Sequence, residues 1–463
     1  MKLTDLRGCA ISGATPAALV AYERAVAAYL AWRSDVATPL ADAMHEAPAF
    51  VMAHVLQAYQ VLLGRDPLFV RSASDVLARA TGLPANARER VHLAVIGAVL
   101  DDDYERAKDL LGDLLRDHPR DVVALQVAHA LDYVTGELAH RNDRVARVMP
   151  AWSPDVPGHH AMLAMLAFSL AESGEHDRAE DLARAALASN PADARAQHVM
   201  AHVFEMTERP DDGVLWMNAH RDRWSIGTVV ATHCWWHLAL FHLGRGRVDG
   251  ALAVYDERLA VAHGSGIADL IDASALLWRL KLRGIDSTSR WTVLAETWSA
   301  HIDDRFCSFS DLHAMLAFVG ARDWHRARRL EAALTDAHVL STRYGTTTRQ
   351  VGLPAGRALI AFGRGDDARA IDLLAHLPAF AYRLGGSHAQ RDVLHLTMLQ
   401  AIERIRWPGR RFVPRAVAVA GGDARIAVAR PVPARRVRVP IVRESAAQVM
   451  ASACSETARC SPE

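Results

Sequence analysis

The stretch Gly174-Glu175-His176-Asp177-Arg178-Ala179 decides the fold, because its pattern occurs five times in the chain. A turn that contains small or acidic residues is followed, after two or three residues, by an alanine that opens a helix. The other four copies are Asp102–Ala107, Gly246–Ala251, Arg322–Ala327 and Gly365–Ala370. The first three alanines are 72 residues apart, or two units of about 36, close to the 34-residue tetratricopeptide period. The pattern therefore predicts an all-α fold, a right-handed superhelix (solenoid) of tetratricopeptide-like helical hairpins.

Proline-containing stops separate the expected hairpins. His118-Pro119-Arg120-Asp121 and Asn190-Pro191-Ala192-Asp193 each end one hairpin and start the next, since proline is tolerated in the first turn of a helix. Apolar spacing predicts an opening helical pair over residues 14–36 and 37–63. Helical spacing continues to about Arg406 without period-two alternation, so we expect almost no sheet.

The C-terminal part of the chain has a different composition. Residues 409–463 contain ten arginines and four acids, and they lack a helical stripe. We therefore divide the chain into an α-superhelix over 1–408 and a basic, poorly ordered tail over 409–463. A basic arm for an acidic partner and a tail read in the wrong frame are the alternatives.

Composition restricts the class of partner and the compartment. Lys plus Arg equals Asp plus Glu at 53 each, so the formal charge is zero. Neither a nucleic acid nor a membrane is therefore expected as partner. The five cysteines are odd in number, scattered and never in a CxxC pair, and no signal peptide or membrane span is evident at the sequence level. These features favour a cytoplasmic protein.

Histidines supply the candidate site. His198, His202 and Glu205 follow i, i+4, i+7 spacing, and His233 and His237 repeat the i, i+4 spacing around Trp236, so each set shares one helix face. A Gly-Gly pair before His388 would let the backbone pass close to another group. The candidate ligand-binding residues are His198, His202, Glu205, His233, Trp236, His237, Asp311, His313, His388, Gln390, Arg391 and Asp392.

The chain resembles the tetratricopeptide repeat protein 38 family over residues 5–405. The matching segments, in the family's order, are Pro48–His54, Asp117–Asp121, Trp152–Pro157, Val199–Met206, Trp235–Leu240, Val254–Asp256, Val351–Pro354 and Gly385–Val393. Family members continue with more helix where this chain has its tail. The family has no established activity, so the resemblance implies the helical fold and a set of unusual polar residues.

Three interpretations of the histidines remain open at this point. The leading one is a concave groove, lined by His202, His237, His313, Arg391 and Asp392, that captures a peptide, a protein segment or a small ligand. An enzyme or a divalent-metal site in an enclosed pocket is the alternative, and structural hydrogen bonding between repeats is the third. No metal ligands and no catalytic residues are assigned.

Geometry separates these interpretations. Convergence of His198, His202, His233 and His237 within a few Å in an enclosed space would favour a site, and histidines spread along an open groove would favour peptide binding. For general-base chemistry, the pairs to consider are His237 with Asp272 and His202 with Glu205. We also expect residues 385–392 to approach residues 198–237.

Overall fold

The computed structural model describes residues 3–63, 66–260, 266–377 and 380–407. The predicted tail, residues 409–463, lies outside the described residues. Within them, β structure is limited to two isolated bridges, Thr4 with Ala10 and Arg33 with Thr228. The expectation of an all-α fold is therefore confirmed for the part of the chain that is described.

The helices follow one another with short connections. They are α1 (Pro16–Leu30), α2 (Ala37–Glu46), α3 (Val51–Leu63), α4 (Pro67–Thr81), α5 (Ala87–Leu100), α6 (Tyr104–Asp117), α7 (Val122–Thr135), α8 (Leu138–Val148), α9 (His159–Glu172), α10 (His176–Ser189), α11 (Ala194–Met206), α12 (Pro210–Ala219), α13 (Arg221–Ser225), α14 (Ala231–Gly244), α15 (Val248–Val254), α16 (Ile267–Leu282), α17 (Thr288–Trp298), α18 (Ser308–Gly320), α19 (Trp324–Ala337), α20 (Arg343–Thr347), α21 (Leu353–Gly363), α22 (Asp367–Leu374), α23 (His388–Arg391) and α24 (Val393–Arg406). Two π-helical stretches, Tyr255–Leu259 and Thr348–Gly352, extend α15 and α20.

The repeated sequence signature opens a helix at each of its five copies. The alanine is the fourth residue of α6, α10, α15, α19 and α22 in turn. All five alanines are buried; they are Ala107, Ala179, Ala251, Ala327 and Ala370. A small side chain at this position lets the preceding helix approach closely, and the preceding helix packs against each of these five helices.

A left-handed backbone residue precedes each of these helices. Positive φ angles occur at Asp102, Gly136, Gly174, Glu208, Gly246, Gly284, Arg322 and Gly365. Consecutive members of this series are 34, 38, 34, 38, 38, 38 and 43 residues apart. Glycine adopts this conformation without strain. The turns at Gly136, Glu208 and Gly284 escaped the sequence signature because no alanine follows at the fourth helical position.

The N-terminal region differs from the expected helical pair. Residues 14–63 form three helices, α1, α2 and α3, rather than two. The second helix ends at Glu46, and the chain resumes helix only at Val51. Pro48 lies in this break, and proline disfavours helical backbone in the residue before it. The prediction of a single helix over 37–63 is therefore wrong.

The buried interior is built by one helix of each pair. Helices α7, α9, α11, α14, α16 and α18 have buried residues on nearly every face, as expected for helices enclosed in a protein core. Their partners, such as α6 and α10, bury a single stripe. Polar side chains on the enclosed helices are therefore held away from water, and the candidate site is formed by these side chains.

Candidate metal centre

Four histidines from two enclosed helices converge on one point. His198 and His202 extend from α11, and His233 and His237 extend from α14. One ring nitrogen from each lies within 4.8 Å of those of the other three. Nε2 of His198 and Nε2 of His202 are 2.9 Å apart. The convergence follows from the i, i+4 spacing, which places two rings on one face of each helix, and from the packing of α11 against α14.

Three carboxylates hold the outer nitrogens of these rings. Glu172 Oε1 lies 3.2 Å from Nδ1 of His202, and Glu205 Oε2 lies 3.0 Å from Nδ1 of His237. Both oxygens of Asp272 contact Nδ1 of His233, at 2.9 and 2.8 Å. A carboxylate on Nδ1 favours the tautomer whose Nε2 carries a lone pair, which is the arrangement around metal-bound histidines.

Burial keeps the imidazoles of His198 and His237 neutral. His202 and His237 are fully buried, and His198 is nearly so. Desolvation, together with the neighbouring His202 and His233, holds the pKa of His198 well below its usual value. The same effects hold the pKa of His237 well below its usual value. Neutral imidazole is the form that binds a metal ion. Neither ring nitrogen of His237 makes a hydrogen bond, although Nδ1 lies 3.0 Å from Glu205 Oε2, so this buried imidazole can still take a partner.

Aromatic rings enclose the cluster. Trp236 stacks on the His233 ring, with centroids 5.1 Å apart and planes inclined by 16°. Phe168 contacts the rings of His198 and His202, at 5.7 and 5.2 Å between centroids. Trp32 packs against His198 from another side. Apolar walls lower the local dielectric and control the access of water to such a centre.

The segment 385–392 supports the carboxylates from outside. The backbone N–H of His388 donates to Glu172 Oε2 at 2.9 Å, and Gln390 Nε2 donates to Asp272 Oδ1 at 3.3 Å. Asp392 forms an ion pair with Arg279. The expected approach of this segment to residues 198–237 is therefore present, through Asp272, which contacts both Gln390 and His233.

The Gly-Gly pair that precedes this segment makes the close approach possible. Gly385 and Gly386 have φ angles of 71° and 77°. A Cβ atom on Gly385 would lie 2.5 Å from the carbonyl oxygen of Val134, and one on Gly386 would lie 2.7 Å from the ring of Phe309. The interpretation of this pair as a point of close backbone approach is confirmed.

The remaining sequence candidates occupy other positions. Asp311 accepts a hydrogen bond from Tyr344 Oη at 2.9 Å. His313 Nδ1 donates to the Phe309 carbonyl at 2.8 Å, a bond within its own helix. The Arg391 guanidinium donates to the carbonyls of the Gly-Gly pair. No contact between these three side chains and the four clustered histidines is seen in the described part of the chain.

Both proposed His–carboxylate pairs have different partners in the structure. His237 contacts Glu205 rather than Asp272, and His202 contacts Glu172 rather than Glu205. Contacts between helices depend on how the helices pack, which the spacing along one helix cannot give. Glu172 was missed altogether, although it ends the apolar run 161–171, where a lone carboxylate has to be buried.

One described cavity lies elsewhere and is lined by none of the predicted site residues. It has a volume of about 710 Å³ and is lined by Asp101, Asp102, Asp103, Tyr104, Glu105, Thr135, Glu137, Ser341, Thr342, Arg343, Thr346, Thr347, Tyr382 and Arg383. Lys108 forms ion pairs with two of the lining residues, Glu105 and Glu137, at 2.7 Å each. Much of the acidic charge around the cavity is therefore already paired within the protein.

Two further findings concern the whole of the described chain. None of its helices combines the length and the apolar character that a membrane span requires. No protein-family model matches the sequence.

Proposed function

We propose that the protein binds one late first-row transition-metal ion through His198, His202, His233 and His237, and that this enclosed centre is its working site. The observation that carries the proposal is the convergence of four ring nitrogens within 4.8 Å, from three buried histidines and the half-buried His233. It is the geometry that favours the metal or enzyme interpretation over a peptide groove, because the rings meet at one point.

The chemistry of the ligand set selects the class of metal. Imidazole nitrogens suit zinc, copper, iron and nickel, whereas calcium and magnesium require oxygen ligands. Four neutral imidazoles leave the charge of a divalent ion uncompensated in the first shell. Glu172 and Asp272 place carboxylates immediately behind the rings, which supports a cation at the centre. Burial raises the pKa of Glu205 to about 8, so this third carboxyl would lose its proton as a metal binds.

The spacing of the four nitrogens shows how far the rings lie from the geometry of a bound ion. Four nitrogens bound tetrahedrally at about 2.05 Å would be about 3.3 Å apart. Nitrogens on opposite sides of an ion with more ligands would be about 4.1 Å apart at the same bond length. The observed set spans distances from 2.9 Å up to 4.8 Å. The upper end of this range exceeds about 4.1 Å, so the rings have to draw together to bind one ion. Water or substrate could then take any ligand position that the four histidines leave open.

The proposal extends to the architecture and the family. The chain is then a member of the tetratricopeptide repeat protein 38 family, with its helical hairpins stacked as a right-handed superhelix. The regular series of left-handed turns, 34 to 43 residues apart, supports this arrangement. Buried Cys9 and Cys234 form no disulfide, which supports a reducing, cytoplasmic location.

Metal titration of the full-length protein tests the proposed function. Metal-free protein is titrated with Fe²⁺, Ni²⁺, Cu²⁺ and Zn²⁺ in competition with a chelator of known affinity. His202→Ala and His237→Ala should weaken binding at least 100-fold, while each variant keeps the helical circular dichroism of the wild type. His54→Ala is the matched control, because His54 is buried on a helix outside the cluster and bonds to the Pro48 carbonyl. Equal affinity in all four proteins would refute the proposal.

A further inference from the structure

A buried arginine near the metal centre lacks partners for most of its guanidinium group. Arg195, in α11, is fully buried. Its Nη2 donates to Gln126 Oε1, but Nε and Nη1 have no hydrogen-bond partner. No carboxylate among the described residues forms an ion pair with it. The nearest acidic influence is Asp193, whose carboxylate is engaged by His160 at 2.6 Å and by the Ala196 N–H at 3.0 Å.

A second unsatisfied polar group lies in the same region. The Tyr29 hydroxyl, near the end of α1, is buried without a hydrogen-bond partner. The positive charge of Arg195 acts on it, while burial raises the pKa of this hydroxyl. Trp32 lies over the guanidinium, 4.7 Å from its carbon to the ring centre. The unpartnered polar atoms of Arg195 and Tyr29 therefore lie in one region, where α1 ends and α11 begins.

The cost of burying a cation favours an anionic partner for Arg195. A buried cation without a partner costs several kcal/mol, and such groups are normally paired or bound to an ion. The three N–H groups on Nε and Nη1 of the guanidinium and a phenol hydroxyl are donors of the kind that carboxylates and phosphates accept from. Desolvation lowers the pKa of Arg195 to about 10, which leaves it positively charged at neutral pH.

Arg195 lies close to the four clustered histidines. The Trp32 ring that covers Arg195 also packs against His198, with ring centres 5.8 Å apart. Because these two contacts share the Trp32 ring, the guanidinium carbon lies no more than about 10.5 Å from the His198 ring centre. Trp32 itself has a left-handed backbone, φ 54°, which is uncommon for a bulky residue and is typical of functional sites.

We propose that Arg195 and the Tyr29 hydroxyl bind the oxyanion, a carboxylate or phosphate, of a small ligand that extends toward the metal at His198. The anion site rests on Arg195 and its surroundings alone. Only the extension of the ligand to the metal rests on the proposed function. The substrate class of the centre is then a small organic acid or a phosphorylated metabolite.

Two conservative variants and simple anions test this proposal on the full-length protein. Thermal unfolding and calorimetry are carried out with sodium phosphate, acetate and succinate, each against sodium chloride at equal ionic strength. Tyr29→Phe removes only the hydroxyl, and Gln126→Glu places a carboxylate beside Nη2 of Arg195, where it neutralises the guanidinium from within. We expect saturable stabilisation of the wild type, binding at least fivefold weaker in Tyr29→Phe, and no saturable response in Gln126→Glu.

The outcomes separate the possible occupants. A response to phosphate alone identifies a phosphorylated ligand, and a response to acetate or succinate alone identifies a carboxylate. A wild type that responds to none of the anions beyond chloride would mean that water satisfies Arg195, and the proposal would be overturned. Equal dissociation constants in all three proteins would overturn it as well.

The same measurements on chelator-treated protein keep the two proposals apart. Anion binding that persists without metal supports the Arg195 site whatever the metal titration gives. A metal titration that succeeds while the anions have no effect would leave the metal centre standing and remove the anion site.

Discussion

Replacing Asp272 by asparagine should weaken metal binding by changing the tautomer of one ligand. Both Asp272 oxygens contact Nδ1 of His233, at 2.9 and 2.8 Å, and Oδ1 also accepts from Gln390 Nε2 at 3.3 Å. If the asparagine oxygen takes the Oδ1 position, its bond from Gln390 Nε2 survives. The new NH₂ group then lies about 2.8 Å from Nδ1 of His233, where it has to donate.

This donation reverses the proton arrangement of the ring. Nδ1 of His233 accepts the amide hydrogen, and the proton moves to Nε2, the nitrogen that would bind the metal. The metal-free protein accommodates this tautomer without losing a hydrogen bond, so its stability should change little. Metal binding has to reverse the tautomer or break the new bond. Loss of an outer-shell partner typically costs 10- to 100-fold in metal affinity, which is about 1.4–2.7 kcal/mol.

The assay is competition between the protein and a chromophoric chelator for Zn²⁺ or Ni²⁺ at pH 7.5. Asp272→Asn should raise the dissociation constant 10- to 100-fold and leave the thermal unfolding of metal-free protein within a few degrees of the wild type. Asp304→Asn is the matched control, since Asp304 holds Nδ1 of His301 at 2.7 Å away from the cluster, and it should bind metal normally. An Asp272→Asn affinity within threefold of the wild type would refute the tautomer argument.

Two other predictions concern packing and pH. Gly320→Ala should destabilise the protein by about 1–3 kcal/mol, because the added Cβ would overlap the buried Trp291 ring. Gly97→Ala should stabilise it by about 0.5–1 kcal/mol, because no neighbouring atom lies nearer than 3.9 Å to the added Cβ. Urea unfolding of both variants measures these changes, and an equal effect of the two substitutions would contradict the prediction. Burial raises the pKa of Asp311 to about 7, so the folded protein retains a proton that the unfolded chain loses near pH 4, and stability relative to Asp311→Asn should fall by about 1.4 kcal/mol per pH unit from pH 4 to 7. A stability difference that does not change between pH 5 and 7 would show that Asp311 is ionised beside Tyr344.

Local features of the chain were predictable from sequence. The recurring alanine signature places the starts of α6, α10, α15, α19 and α22, since turn geometry and close helix packing are both encoded within a few residues. The i, i+4 pairs on α11 and α14 were visible for the same reason. The break at Pro48 was missed because apolar spacing on both sides of it suggested a continuous helix.

Contacts between helices were not predictable in the same way. The pairing of Glu172 with His202 and of Glu205 with His237 depends on how far neighbouring helices are shifted along their axes. The spacing of residues within one helix carries no information on this shift. Arg195 was missed because a single arginine beside Asp193 at a helix start is ordinary in sequence. Only the structure shows that Arg195 is completely buried and that its Nε and Nη1 have no hydrogen-bond partner.

The two proposed sites, the four histidines and Arg195, could act on one ligand. A metal ion at four histidines could polarise a bound group or activate water, and an anion anchor near His198 would orient a small ligand beside it. The segment 385–392 is tied to two of the three supporting carboxylates, Glu172 and Asp272. Changes in this segment should therefore alter the metal centre without touching a histidine.

The most direct test of the central claim is the metal content of the protein purified without a histidine tag. Elemental analysis of the wild type and of the double variant His202→Ala/His237→Ala, prepared in parallel, compares the two under identical conditions. The account predicts close to one iron, nickel, copper or zinc ion per wild-type chain and less than about one tenth of that in the variant. A wild type that contains no transition metal, and that takes up none when the metals are supplied, would contradict it.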